Sequence, residues 1–157
     1  MRLAALAAML IASLALLAGC GSADESTPVA CLEGAGAYEQ ALKAAPDEVL
    51  LGDETLISEC LTRNQTGGDI ARVGEALIET ATQLNAEARA EPRGDANLQL
   101  GYLLGAVERG AEESEGIHAD LVRRLVVSAR FVPDKQTLPP GFIPTYSEGF
   151  EAGRANG

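Results

Sequence analysis

Few positions in the chain combine residue type and spacing in a way that chemistry could use. Glu115 and His118 stand three apart, the spacing with which two side chains on adjacent helical turns face one metal in di-iron carboxylate bundles. That centre needs a second such pair and two further glutamates, and His118 is the only histidine in the sequence. The pair therefore does not read as a metal site, and His118, near the start of an expected helix, reads as a surface or capping residue. Glu108, Glu112, Glu113 and Glu115 form an acidic run. Their spacing is not that of a calcium loop, and a solvated connection between helices accounts for them. Gly101 and Gly105 make a G-x-x-x-G pattern, which in a membrane favours close helix pairing. Flanked by Asn97, Gln99, Glu108 and Arg109, this helix is too short and too mixed to span, so close packing inside a soluble bundle is expected instead. The patterns G-x-S-x-G, H-E-x-x-H, C-x-x-C and the phosphate-binding P-loop do not occur. No catalytic residue, cofactor or metal ligand is expected.

The elements that would position these residues have helical period. Ile70, Val73, Leu77, Ala81, Leu84 and Ala88 recur every three or four residues, which predicts an amphipathic helix over Asp69 to Ala90. Pro92 and Gly94 break it. Asp95 is the expected cap of the next helix, whose Leu98, Leu100, Tyr102, Leu103, Leu104 and Val107 wrap more than one face and mark it as central. Ile117 to Phe131 reads as a further amphipathic helix through Leu121, Val122, Leu125, Val126 and Ala129. Upstream, Cys31 to Ala45 reads as one helix ended by Pro46, and Asp53 as the cap of another over Glu54 to Arg63. Period-two alternation is absent over any useful length, so no sheet is expected. The expected fold is all-α, a single bundle of four or five helices with a Pro-rich C-terminal segment. That segment holds Pro133, Pro139, Pro140 and Pro144, and Phe131, Phe142, Tyr146 and Phe150 are four of the six aromatic residues in the chain. Two readings stand for it. Phe142, Tyr146 and Phe150 form a partner surface, or the segment is laced back over an apolar groove of its own bundle, with Tyr146 and Phe150 on a short terminal helix loosened by Gly149 and Gly153.

Residues 1–19 are of another kind. Arg2 is their one charge, and Leu3 to Ala18 is an apolar run interrupted only by Ser13. The run falls short of the roughly 20 residues that span a bilayer and ends in small residues, as a cleavable signal does. Leu17-Ala18-Gly19-Cys20 resembles the lipobox of bacterial lipoproteins, in which a branched apolar residue and two small ones precede an obligatory cysteine. The resemblance is confined to these first residues. It implies diacylglycerol on the Cys20 sulfur, cleavage just before it, and attachment to a membrane through two or three acyl chains, where one would be marginal. Gly21 stands where some diderm bacteria place a retention aspartate. That implies the outer membrane in a diderm and the outer face of the plasma membrane in a monoderm.

With Cys20 an anchor, two cysteines are left in a compartment that permits disulfides, and Cys31 and Cys60 are expected to pair. The domain division is then a signal at 1–19, a polar tether at 20–30 and a helical domain at 31–157. Ten tether residues have a root-mean-square reach of about 17 Å, which keeps the domain near the lipid. All 23 acidic and 11 of the 12 basic residues lie beyond the signal, a net charge of −12. Such a domain is a poor partner for nucleic acid and is repelled by an anionic lipid surface, so a covalent lipid has to hold it. The functional expectation is a non-enzymatic binding or structural protein of the envelope, with an envelope protein as the expected partner. The alternative is a small-molecule or cation-binding lipoprotein with a pocket between helices near Tyr102.

Overall fold

The computed structural model describes residues 26–129 and 138–157; Cys20, the apolar run before it and Phe131 lie outside them. The described chain is mainly helical and forms an all-α bundle with one two-stranded ribbon. Helices α1 (Ala35–Ala41), α2 (Gly67–Ala90), α3 (Asp95–Glu113), α4 (Ala119–Ser128) and α5 (Phe142–Asn156) surround a core centred on α3. Among the described residues no helix is long and apolar enough to cross a membrane.

Helix α2 buries Val73, Leu77, Ala81, Leu84 and Ala88 and exposes Arg72, Glu75, Glu79 and Glu87. It starts two residues before the expected Asp69, because the Thr66 hydroxyl oxygen accepts from the Asp69 amide at 3.2 Å and so caps an orphan donor. Helix α3 is buried at every position from Leu100 to Val107, as its all-round apolar pattern predicts. Gly94, not Asp95, occupies its cap position. The acidic run is not a connection: α3 continues through it to Glu113. Glutamates favour helix, and Glu108 and Glu112, one turn apart, both reach Arg154 on α5, at 3.2 and 3.0 Å. The chain turns only afterwards, at Glu115 and Gly116, both with left-handed φ of 56° and 89°.

Helix α5 returns along α3 in unusually close contact. A Cβ on Gly101 or Gly105 would overlap the carbonyls of Tyr146 and Phe150, and one on Gly149 or Gly153 those of Leu98 and Tyr102. The two G-x-x-x-G faces are thus reciprocal, and the absence of side chains lets backbone meet backbone. Gly149 and Gly153 do not loosen a short terminal helix, as the sequence suggests; they seat one of 15 residues.

The region before α2 departs furthest from expectation. The folded part begins ahead of residue 31, since Thr27 is buried and Val29–Leu32 forms a 3-10 turn. Gly34, at φ 89°, separates that turn from α1, so Cys31 to Ala45 is not one helix. The expected helix from Glu54 is instead a hairpin, β1 (Leu50–Leu51) with β2 (Thr55–Leu56), pairing Leu51 with Thr55. Asp53 does not cap a helix. It follows Gly52 in the turn, the two at φ 64° and 58°, a conformation that Gly and Asp tolerate best. A short 3-10 turn, Ser58–Cys60, follows, and a disulfide joins Cys31 to Cys60 across 29 residues.

Candidate functional site

Three helices leave an apolar groove between them. Helix α3 supplies Leu104, Val107 and Glu108 to it, α4 supplies Val122, Leu125 and Val126, and α5 supplies Phe142, Tyr146 and Phe150. Ala129, Leu138 and Ile143 complete the lining of a cavity of about 350 Å³, within the range of small-molecule sites.

The α5 wall follows from a spacing of four. Phe142, Tyr146 and Phe150 rise on successive turns, their ring centroids 6.4 and 6.2 Å apart and their planes within 6° and 19° of parallel. Offset stacking of this kind stabilises aromatic pairs beyond the area that they bury. Helix α5 is thus laced back on the bundle by its glycines, and its aromatic edge lines an open groove. The α4 wall is a surplus of apolar residues. Leu121 and Leu125 suffice to seat this helix on the core, whereas Val126 and Val127 remain 47% and 62% exposed, and Ile143 across from them 53%. That surplus is the signal by which sequence reading could have found the groove.

The sequence places a pocket near Tyr102 and Leu103, but both are fully buried. The Tyr102 hydroxyl accepts from the Val49 amide at 3.1 Å, which ties the hairpin region to α3; burial raises its phenol above the ordinary range, and the Val49 bond offsets part of that. The open face of α3 is the next one round, at Leu104 and Val107.

Two polar side chains line the groove. Burial, and then the charge of Glu108, pushes the Tyr146 phenol up to about 12, so it stays protonated at neutral pH. Tyr146 is only partly buried, and its hydroxyl is not among the buried polar atoms left without a partner. Glu108 meets Arg154 at 3.2 Å, but the same guanidinium donates to both Glu112 oxygens at 3.1 and 3.0 Å. Those bonds hold the Glu112 carboxyl below its ordinary range and raise Arg154. One cation thus serves two carboxylates, of which Glu108 lines the groove.

His118 and Glu115 do not converge. Glu115 is exposed and pairs with Arg63 at 3.0 Å. His118 is not a surface residue: it is 1% exposed, and its Nε2 lies 2.7 Å from the Gln65 Oε1. The Gln65 Nε2 donates to the Thr27 hydroxyl and the Cys60 carbonyl, each at 3.0 Å, so Oε1 has to accept and His118 Nε2 has to carry the proton. Nδ1 is left buried without a partner, and no group of His, Cys, Asp and Glu among the described residues could hold a metal. Burial lowers the His118 pKa below 6.5. A lowered folded-state value means that the unfolded chain takes up the proton first. This contribution to stability is therefore complete above about pH 6.5 and declines as pH falls below it. Urea midpoints of His118→Asn should lose that part of the fall between pH 7.5 and 5, and an unchanged slope would refute the assignment.

Comparison with protein-family models, with curated proteins and with solved structures finds no match to this chain. The site is therefore read from its own geometry: Cys31 and Cys60 are bonded to each other, and Phe142, Tyr146 and Phe150 are brought together on the groove.

Proposed function

We propose that the chain is a lipid-anchored, non-enzymatic binding protein of the cell envelope, and that the groove between α3, α4 and α5 is where it binds. The observation that carries the binding half is the groove itself, concave, apolar and walled by three stacked rings. A protein partner, such as another envelope protein, and a small molecule are both compatible with a binding role. Concavity between helices favours the small molecule. The pocket of this reading lies one face of α3 away from Tyr102.

The anchoring half rests on the lipobox ending at Cys20. Acyl chains on that sulfur would hold the acidic domain against a surface whose charge repels it, on the outer face of the plasma membrane or, with Gly21 in place of aspartate, in an outer membrane. Replacing Cys20 by serine tests it in intact cells. The wild-type protein is expected in the membrane fraction, trimmed to begin at Cys20 and heavier by its acyl groups, and Cys20→Ser is expected unprocessed and without acyl mass. A serine variant of the same size as wild type, equally membrane-bound and with no acyl mass in either, would end the proposal.

A further inference from the structure

We propose that Thr27, Gln65 and His118 form an acid-released latch that fixes where the N-terminal segment leaves the domain. The latch is separate from the groove and needs nothing bound there.

Three separate pieces of chain meet at the Gln65 amide. Its Nε2 donates to the Thr27 hydroxyl and the Cys60 carbonyl, each at 3.0 Å, and its Oε1 accepts from His118 Nε2 at 2.7 Å. Among the described residues the bond to Thr27 is the outermost hydrogen bond from the N-terminal segment to the rest of the domain. The next tie inward is the Cys31–Cys60 disulfide. Of the groups in the junction only the His118 ring changes charge in the mildly acid range. A carbonyl cannot donate, so Cys60 fixes the amide's orientation and with it the neutral ring's proton on Nε2. A second proton has only Nδ1 to occupy, and that atom is buried without an acceptor. The ring also stands at the N-cap of α4, where the positive end of the helix dipole disfavours a cation. The charged groups on the elements that meet there are engaged elsewhere. Arg63 pairs with Glu115, Glu113 with Arg109 and Asp120 with Arg123, while Asp69 accepts from the Thr66 hydroxyl and Glu59 from the Leu56 amide. Burial is what lowers the pKa of the ring. The closed junction thus excludes the imidazolium, and a protonated ring reaches water only by leaving Gln65. The amide, left without that donor and opened to solvent, no longer holds Thr27. The first fixed point then shifts from Thr27 to Cys31, and the four residues released can extend by up to about 14 Å. In a domain tethered through Cys20, acid would lengthen the tether by that much.

The test uses the full chain purified in detergent without a histidine tag, so that His118 supplies the only imidazole signals. Nitrogen shifts of the ring by NMR and amide protection factors by exchange mass spectrometry are followed between about pH 7.5 and 4.5. At the upper end the ring is expected neutral, with its proton on Nε2. Below the ordinary histidine pKa of about 6.5, protection at residues 27–32 is expected to fall by up to about tenfold per pH unit, while the interiors of α2 and α3 keep theirs. His118→Gln keeps a donor toward Gln65 and cannot titrate, so its protection there should stay level. Protection unchanged at residues 27–32 down to the lowest pH, whether or not the ring titrates, overturns the latch. So does a neutral ring protonated on Nδ1, or an equal fall in His118→Gln. A fall spread evenly over the bundle overturns it as well, since acid would then be unfolding the whole domain. If His118→Gln does not fold, the wild-type protein decides alone: ring protonation and loss of protection at residues 27–32 must share one midpoint, and separate midpoints end the proposal.

Discussion

Replacing Gly149 by alanine is expected to destabilise the protein by about 3 kcal/mol or more, although alanine is the better helix former by about 1 kcal/mol. The added methyl has nowhere to go. It would overlap the carbonyl of Leu98 and crowd the Tyr102 amide, and both are backbone atoms of α3 that cannot rotate away. Either α5 moves off α3 as a unit or the bundle strains, and in both cases the aromatic wall leaves the groove. Gly36 in α1 is the control, because a Cβ there meets nothing within 4 Å. Gly36→Ala should stabilise by a few tenths to about 1 kcal/mol. Urea unfolding of the two variants beside wild type would show opposite signs. A Gly149→Ala variant as stable as wild type would mean that the helices do not lie against each other as described.

The same pair of helices shows which parts of the fold could be read from the chain. Helices α2 and α3 were legible because their sequences contain a long periodic stripe and bounding Pro and Gly residues. The glycines at 101 and 105 were legible as a close-packing face, but their counterpart was not. Gly149 and Gly153 have the same spacing of four, and in sequence they look like helix breakers. Only the arrival of α3 opposite them turns a local liability into a contact surface, and no window of sequence contains both helices. The hairpin was missed for a different reason. Two-residue strands are too short to display alternation, and Asp53 is of a type that caps helices and tolerates left-handed turns alike; here it takes the turn. Gly52 immediately before it was the cue.

The groove was half legible. The concentration of Phe142, Tyr146 and Phe150 at one end of the chain pointed to a special surface, and they do form one wall. The other two walls come from residues that sequence assigns to the ordinary core stripe of α3 and α4. A helical wheel gives the direction of Val122 and Val126 from their own helix axis, not whether a neighbour covers them. His118 does occupy the cap position ahead of α4, as its place in the sequence suggests, but its side chain makes no capping bond and is buried against the Gln65 amide rather than exposed.

The disulfide is expected to hold the least self-sufficient part of the molecule. Between Cys31 and Cys60 lie a seven-residue helix and two strands of two residues, lengths at which isolated elements do not persist in water. Their order comes from tertiary ties. The Tyr38 hydroxyl donates to the Cys31 carbonyl at 3.0 Å, the Val49 amide to Tyr102, and the Thr80 hydroxyl to the Ala35 carbonyl at 3.4 Å. Tyr38, Leu42, Val49 and Ile57 are fully buried among them. The turn that carries Cys60 docks on α3 where Gly110 admits the Ser58 backbone, and the Ser58 hydroxyl reaches the Gly157 oxygen at 2.6 Å. The cross-link therefore fastens the N-terminal segment to a point already fixed on α3. Closing a loop with a sequence separation of 29 is worth about 3 to 4 kcal/mol in the chain-entropy estimate, a large share of a stability of roughly 5–15 kcal/mol. Cys31→Ser with Cys60→Ser should lose that amount in urea unfolding, and amide exchange should accelerate first across residues 31–60, while α2, α3 and α5 keep their protection. Both sulfurs belong to residues with no exposed surface, so mild reductant should leave the bond intact until denaturant opens the region. A double variant within 1 kcal/mol of wild type, with exchange unchanged over those residues, would mean that packing on α3 alone holds this segment and the covalent tie is redundant.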